Sequence, residues 1–156
     1  MSHDLIHPTA IIDPTAKIGT GTTVGPYSII EKGVVIGEKN EIGPRVHVST
    51  GTTIGNHNHI HMGAVIGHTP QDLAYHGATS FTHIGDRNTI REYATIHRGT
   101  KENTATEIGN DNYLMAYSHV AHNCKIGNKV ILVNNASLTG YCEVGDGAFL
   151  SGFVGL

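Results

Sequence analysis

Every sixth residue of the chain, from Ile6 to Leu156, carries the same kind of side chain. Of the 26 positions divisible by six, 23 are Ile, Leu or Val; the exceptions are Asp72, Ala78 and Glu102. Glycine often follows that aliphatic, as at Gly19, Gly37, Gly55, Gly85, Gly109 and Gly127. A small or β-branched residue sits two positions before it, as at Ala16, Thr22, Ser28, Ala64, Ser118 and Ala136. A helix repeats its apolar face every ~3.6 residues and a flat strand every second one, so a period of six fits neither. It fits a solenoid of short strands joined by tight corners, whose inward positions stack from coil to coil.

A longer period groups the hexads in threes. The pattern aliphatic-Gly-x-x-Asn recurs as Ile36-Gly37 with Asn40, Ile54-Gly55 with Asn58, Ile84-Gly85 with Asn88, and Ile108-Gly109 with Asn112. The first two lie 18 residues apart, which makes each coil three hexads, a triangular prism with one strand per face. The next intervals are 30 and 24, so extra segments leave the coil within residues 68–83 and 98–107. Both leave along the same edge, and all three exceptions to the hexad fall inside them. With the insertions removed, the four asparagines form one interior ladder, rungs about 4.8 Å apart, with amides bonded from coil to coil. The expected fold is all-β: one parallel β-helix domain over residues 1–156, with two protruding loops. Leu156 is a core position without a polar cap, so the coils are expected to continue past it.

Composition narrows the function. Charged residues make up 15% of the chain and the formal net charge is −3, which leaves no basic surface for nucleic acid. Aromatics are 6% and Trp is absent, so base-stacking platforms are not expected either. The first residues, Met-Ser-His-Asp-Leu-Ile-His-Pro, hold neither a basic nor an apolar targeting segment, and no later run has membrane-spanning length. A cytoplasmic location without membrane insertion is the expectation. Cys124 and Cys142 lie 18 apart at the small inward position, and are expected as two buried thiols in a reducing compartment. No Cys-x-x-Cys spacing suggests zinc.

The chain holds 12 histidines, which the coil period separates. His122 follows the inward Val120 by two residues and therefore points outward near a corner. With the insertions removed, His68, Arg98 and His122 share that column, with His97 and Tyr141 beside it and His119 on the adjoining face. This is the edge from which both loops leave, and a rigid frame with protruding loops is where function concentrates. His3, His7, His47, His57, His59 and His83 read as surface residues. His57, His59 and His61 alternate and would present two imidazoles on one face, but no carboxylate accompanies them, so no metal site is expected.

Several segments are more specific than the hexads. They are His119-Val120-Ala121-His122-Asn123-Cys124, Asn134-Asn135-Ala136, Ile90-Arg91-Glu92, Thr95-Ile96-His97-Arg98-Gly99-Thr100, and Gln71-Asp72-Leu73. Together they resemble the acyl-carrier-protein-dependent UDP-N-acetylglucosamine O-acyltransferases, which begin lipid A biosynthesis. The resemblance implies a left-handed coil, against the usual right-handed crossover, and a homotrimer with active sites between subunits. It also implies acyl carrier protein and UDP-N-acetylglucosamine as partners, and no cofactor. His122 would be the general base for the sugar 3-hydroxyl, and the Gly140 N–H would receive the oxyanion. Gln71, Asp72 and His119 would contact the sugar nucleotide. Asn123 and Tyr141 stand where that family commonly carries Asp and His, at or beside the position that orients the base. Three other readings stay open: the sister N-acyltransferase of the same pathway, a hexapeptide zinc enzyme, and a non-catalytic trimeric scaffold.

Overall fold

A computed structural model describes residues 5–156. Each coil passes in turn through three parallel seven-stranded sheets, which form the faces of a triangular prism. The first face runs from Ile11–Ile12 through Val65–His68, Thr95–His97 and His119–Val120 to Ser137–Leu138. The second runs from Lys17–Ile18 through Phe81–Ile84 and Ala105–Ile108 to Glu143–Val144, and the third from Thr23–Val24 to Phe149–Leu150. The molecule is a left-handed parallel β-helix. No helix among the described residues is long and apolar enough to cross a membrane.

The hexad aliphatics build this shape by stacking inward: Ile30, Ile54, Ile66, Ile90, Leu114 and Leu138 are all fully buried, one above another in three files. The glycine after the aliphatic is required where successive coils touch. A methyl group at Gly37, Gly55 or Gly85 would lie 2.6–2.7 Å from the carbonyl oxygen of the equivalent glycine one coil on. The corners turn through left-handed backbone, and many use ordinary residues there, such as Arg87 at φ 55° and Asn123 at φ 59°.

The asparagine ladder forms, with amide-to-amide bonds among its first three rungs and a backbone N–H of Asn112 joining the fourth to Asn88. Asn58 Nδ2 donates to Asn40 Oδ1 at 3.0 Å and Asn88 Nδ2 to Asn58 Oδ1 at 3.1 Å. Each rung also donates to a glycine carbonyl, as Asn58 does to Gly85 at 3.0 Å, and accepts the next rung's backbone N–H, as Asn58 does from Asn88 at 2.8 Å. A second, outer ladder was not anticipated. Side-chain oxygens of Asn56, Asp86, Asn110, Asn128 and Asp146 each accept the backbone N–H of the residue one coil earlier, at 2.7–2.8 Å. It saturates amides that the corner geometry leaves without carbonyl partners.

Both insertions cross the corner from the first face to the second, between Val65–His68 and Phe81–Ile84 and between Thr95–His97 and Ala105–Ile108. They are tied together: the Thr79 N–H donates to Glu102 Oε2 at 2.8 Å, and the Asn103 N–H to the Thr79 carbonyl at 2.8 Å. Glu102 departs from the hexad because it fastens one loop to the other.

Two expectations need correction. The register places His68 opposite His97 rather than Arg98, because the strand bulges at Gly67, whose φ is 74°. A side chain at Gly67 would overlap the Thr52 hydroxyl, so the bulge depends on glycine. Arg98 is instead pinned to that bulge, its Nε donating to the Gly67 carbonyl at 2.9 Å. The cysteines are both free thiols, but only Cys124 is buried; Cys142 is half-buried. Cys124 donates to the Thr139 carbonyl at 3.0 Å, and burial pushes its pKa up to about 11.

Candidate functional site

The edge that carries both loops gathers the expected residues around one imidazole. His122 lies just past the first face, its side chain only 14% exposed although it points away from the core. The first loop bends over it and sets Asp72 Oδ2 3.6 Å from His122 Nε2. Asp72 is held by its own turn, accepting the Ala74 N–H at Oδ1 at 2.9 Å. On the other side the Tyr141 ring meets the imidazole edge-to-face, centroids 5.3 Å apart at 85°. Gly140 lies against the ring, and a Cβ there would overlap the imidazole.

The other ring nitrogen, His122 Nδ1, is 3.2 Å from Asn123 Oδ1. Asn123 takes up the left-handed corner conformation, which asparagine tolerates better than most residues. Its Oδ1 also receives the Thr100 N–H at 2.9 Å and the Thr100 hydroxyl at 3.0 Å. Thr100 in turn lies 3.1 Å from the Tyr141 hydroxyl. The second loop thus supports the imidazole from behind while the first covers its front.

His119 lies beside them, its Nδ1 2.7 Å from the Thr95 hydroxyl and its ring edge-to-face with His97 at 4.9 Å. Burial, reinforced by His122, depresses the pKa of His119. His97 is 4% exposed and its Nδ1 has no hydrogen-bond partner among the described residues. Burial first, then the nearby His119, lowers its pKa to about 4. Gln71, His97, His119, His122, Thr139 and Gly140 line a cleft of about 220 Å³. Gln71 stands exposed on its rim. Periodicity put His97 merely beside the column and did not single out Thr100; the segment Thr95-Ile96-His97-Arg98-Gly99-Thr100 was the signal that marked both.

A depressed histidine makes stability depend on pH. Unfolded His97 binds a proton below about pH 6.5, whereas the folded protein resists it down to about 4. The unfolded state therefore holds more protons in that window, so stability falls as pH drops from about 6.5 to 4, by up to about 3 kcal/mol. Chemical-denaturant midpoints measured across this range should fall with acid in the native chain and fall less in His97→Gln.

The alternating histidines of the third face gain acidic neighbours from other coils. The register brings carboxylates to them that are distant in sequence: Glu41 lies 3.2 Å from His59 Nδ1, and Glu92 lies 3.9 Å from His61 Nδ1. Glu92, however, is engaged by both Arg91 Nε and Nη2 at 3.0 Å. Among the described residues no group of three or more potential ligands converges.

The bacterial transferase hexapeptide model (six repeats) matches residues 33–68 and 105–140. The acyl-(acyl-carrier-protein)–UDP-N-acetylglucosamine O-acyltransferase of Janthinobacterium sp. (strain Marseille) is 50% identical over 150 residues, which cover 96% of this chain and 57% of that protein. The same enzyme of Thermodesulfovibrio yellowstonii is 45% identical over 145 residues, covering 92% and 56%. The solved UDP-N-acetylglucosamine O-acyltransferase of Moraxella catarrhalis superposes with a TM-score of 0.90 at 40% identity, over 97% of this chain and 59% of that one. The chain belongs to the UDP-N-acetylglucosamine O-acyltransferase family. It spans little more than half the length of the curated O-acyltransferases it matches. The Bacteroides fragilis O-acyltransferase superposes with a TM-score of 0.89 at 38% identity, over 96% of this chain and 66% of that one.

Proposed function

We propose that this edge of the β-helix transfers an acyl chain from acyl carrier protein to the 3-position of UDP-N-acetylglucosamine, with His122 as general base. The observation that carries the reading is the imidazole itself. Nδ1 is engaged by an amide oxygen behind it, the ring lines the cleft with Nε2 beside Asp72 and Gly140, and the surrounding chain is up to 50% identical to O-acyltransferases. A sugar hydroxyl is a poor nucleophile until its proton is taken, and a neutral imidazole is suited to do so near pH 7.

In this reading the 3-hydroxyl sits between His122 Nε2 and the thioester. Nε2 removes its proton as the oxygen attacks the thioester carbonyl carbon. The Gly140 N–H receives the resulting oxyanion; no hydrogen bond among the described residues uses that N–H. Collapse breaks the carbon–sulfur bond, and the imidazolium returns the proton to the departing thiolate. Gln71 and Asp72 hold the sugar from the first loop. His119, kept neutral by burial, offers its remaining nitrogen as a hydrogen-bonding group to the substrate.

A homotrimer supports this reading, because one edge with two loops forms only one wall of a cleft and a neighbouring copy would close it. The proposed substrates and the formal net charge of −3 agree with a cytoplasmic enzyme that binds no nucleic acid. Sedimentation should show a trimer at micromolar concentration, and a monomer would contradict that part of the proposal. Following thioester loss from acyl carrier protein with UDP-N-acetylglucosamine tests the activity directly. Gly140→Ala should cut turnover on the order of 10²-fold, since a methyl group there displaces the His122 ring and a misplacement of about 1 Å has that cost. Its far-ultraviolet circular dichroism should be unchanged.

A further inference from the structure

We propose that Thr100 and Tyr141 are positioning residues that lock the Asn123 amide and thereby hold His122 as the tautomer protonated at Nδ1. The inference rests on the general-base reading only for its effect on rate. The tautomer assignment stands on donor and acceptor bookkeeping alone.

An amide can present either its oxygen or its NH₂ group to a neighbour, and the two are distinguished only by their partners. The Thr100 backbone N–H can only donate, so the Asn123 atom 2.9 Å from it is the carbonyl oxygen. The Thr100 hydroxyl, 3.0 Å from the same oxygen, spends its single proton there. It is then an acceptor toward Tyr141, whose hydroxyl at 3.1 Å must be the donor. The chain of bonds therefore runs from the Tyr141 O–H to the Thr100 oxygen, and from the Thr100 O–H to Asn123 Oδ1. His122 Nδ1, 3.2 Å from that same oxygen, meets an acceptor whose orientation is already set. A lone pair on Nδ1 would oppose a lone pair, so Nδ1 carries the proton and Nε2 is left basic.

The lock matters because a competitor exists. A neutral imidazole has one N–H, and the Asp72 carboxylate 3.6 Å from Nε2 would draw it to the other nitrogen. Were the Asn123 amide to turn over, its NH₂ would face Nδ1, and the proton would move to Nε2 beside Asp72. His122 could then no longer accept a proton at the nitrogen that faces the cleft. A carboxylate at this position needs no such lock, since both of its oxygens accept. An amide does. The second loop supplies it through Thr100, which is buried, and the next coil supplies the far end through Tyr141.

The test is the tautomer itself. The chain is labelled with ¹⁵N-histidine and studied by two-bond ¹H–¹⁵N correlation at mildly alkaline pH, where imidazole is neutral; His122→Gln assigns the signal. The expected result is the Nδ1–H pattern in the native protein, a partial shift toward the Nε2–H pattern in Thr100→Val, which loses the hydroxyl but keeps the backbone N–H on Asn123 Oδ1, and the native pattern in Thr100→Ser. In an Asn123→Asp background, Thr100→Val should leave the pattern unchanged. Tyr141→Phe, at an exposed side chain, gives a smaller shift in the same direction and serves if Thr100→Val does not fold. An Nε2–H pattern in the native protein overturns the proposal. So does an unchanged pattern in both Thr100→Val and Tyr141→Phe, or an equal shift in the Asp background. In the acyl-transfer assay Thr100→Val should lower kcat about tenfold, the equivalent of one hydrogen bond, with KM for the sugar nucleotide little changed. Should the native chain show the tautomer pattern and its response but no acyl transfer, the lock stands and the general-base reading falls.

Discussion

His122→Ala is expected to lower acyl transfer by ~10²–10⁴-fold, the usual cost of removing a general base. The magnitude follows from what the cleft contains. His119 also lines the cleft, but its Nδ1 is tied to Thr95 and its ring packs on His97. His97 is held neutral by burial, yet lies deeper, with only 4% of its surface exposed. Neither stands against Gly140, whose N–H is the proposed oxyanion donor, whereas the His122 ring does. Stability should change little, because His122 points outward and its contacts are with Asp72, Asn123 and Tyr141 rather than the aliphatic files. Rates within a few-fold of the native value, with the thermal midpoint unchanged, would move the role of base to His119.

Asn58→Ala should be the most destabilising single change in the interior, at about 2–6 kcal/mol. The reason is the number of partners it orphans. Asn58 is fully buried, and the substitution leaves the Asn88 backbone N–H without an acceptor and the Gly85 carbonyl without the amide donor it had. Each such buried group costs about 1–3 kcal/mol when left unmade. Asn58→Leu restores the volume but neither bond, so it should be nearly as damaging. A threonine on the outer surface, Thr53→Ala, provides the control, with an effect within about 0.5 kcal/mol. Urea unfolding curves compare the three, and an Asn58→Ala loss below about 1 kcal/mol would show that the ladder relaxes around the gap.

These two residues mark the range of what could be read from the chain. Asn58 was legible because the inner ladder has the coil's own period, so counting alone places it. The outer ladder of Asn56, Asp86, Asn110, Asn128 and Asp146 has the same period but mixes two residue types at a corner, and it became visible only with its hydrogen bonds. His122 and Asn123 were marked by the motif, and the structure places both on the edge where the loops emerge. Thr100 was included in a motif but given no role, because it sits in an insertion, where the hexad no longer assigns a direction to a side chain. The His68 column failed for a related reason: a single bulged glycine shifts register by one, and the period carries no sign of it.

By itself the sequence determined the coil, its three faces, the edge bearing both loops and the inner asparagine file. Those properties repeat, and each repeat can be stable only by stacking on its neighbours. Tertiary structure alone decided how the two non-repeating loops fold back: that Asp72 comes to lie across His122, that Glu102 fastens one loop to the other, and that Thr100 meets Asn123 and Tyr141. Such contacts join residues 23 to 50 positions apart, through hydrogen bonds and, for Asp72 and His122, a longer polar approach, whose direction depends on backbone shape rather than on any pattern along the chain.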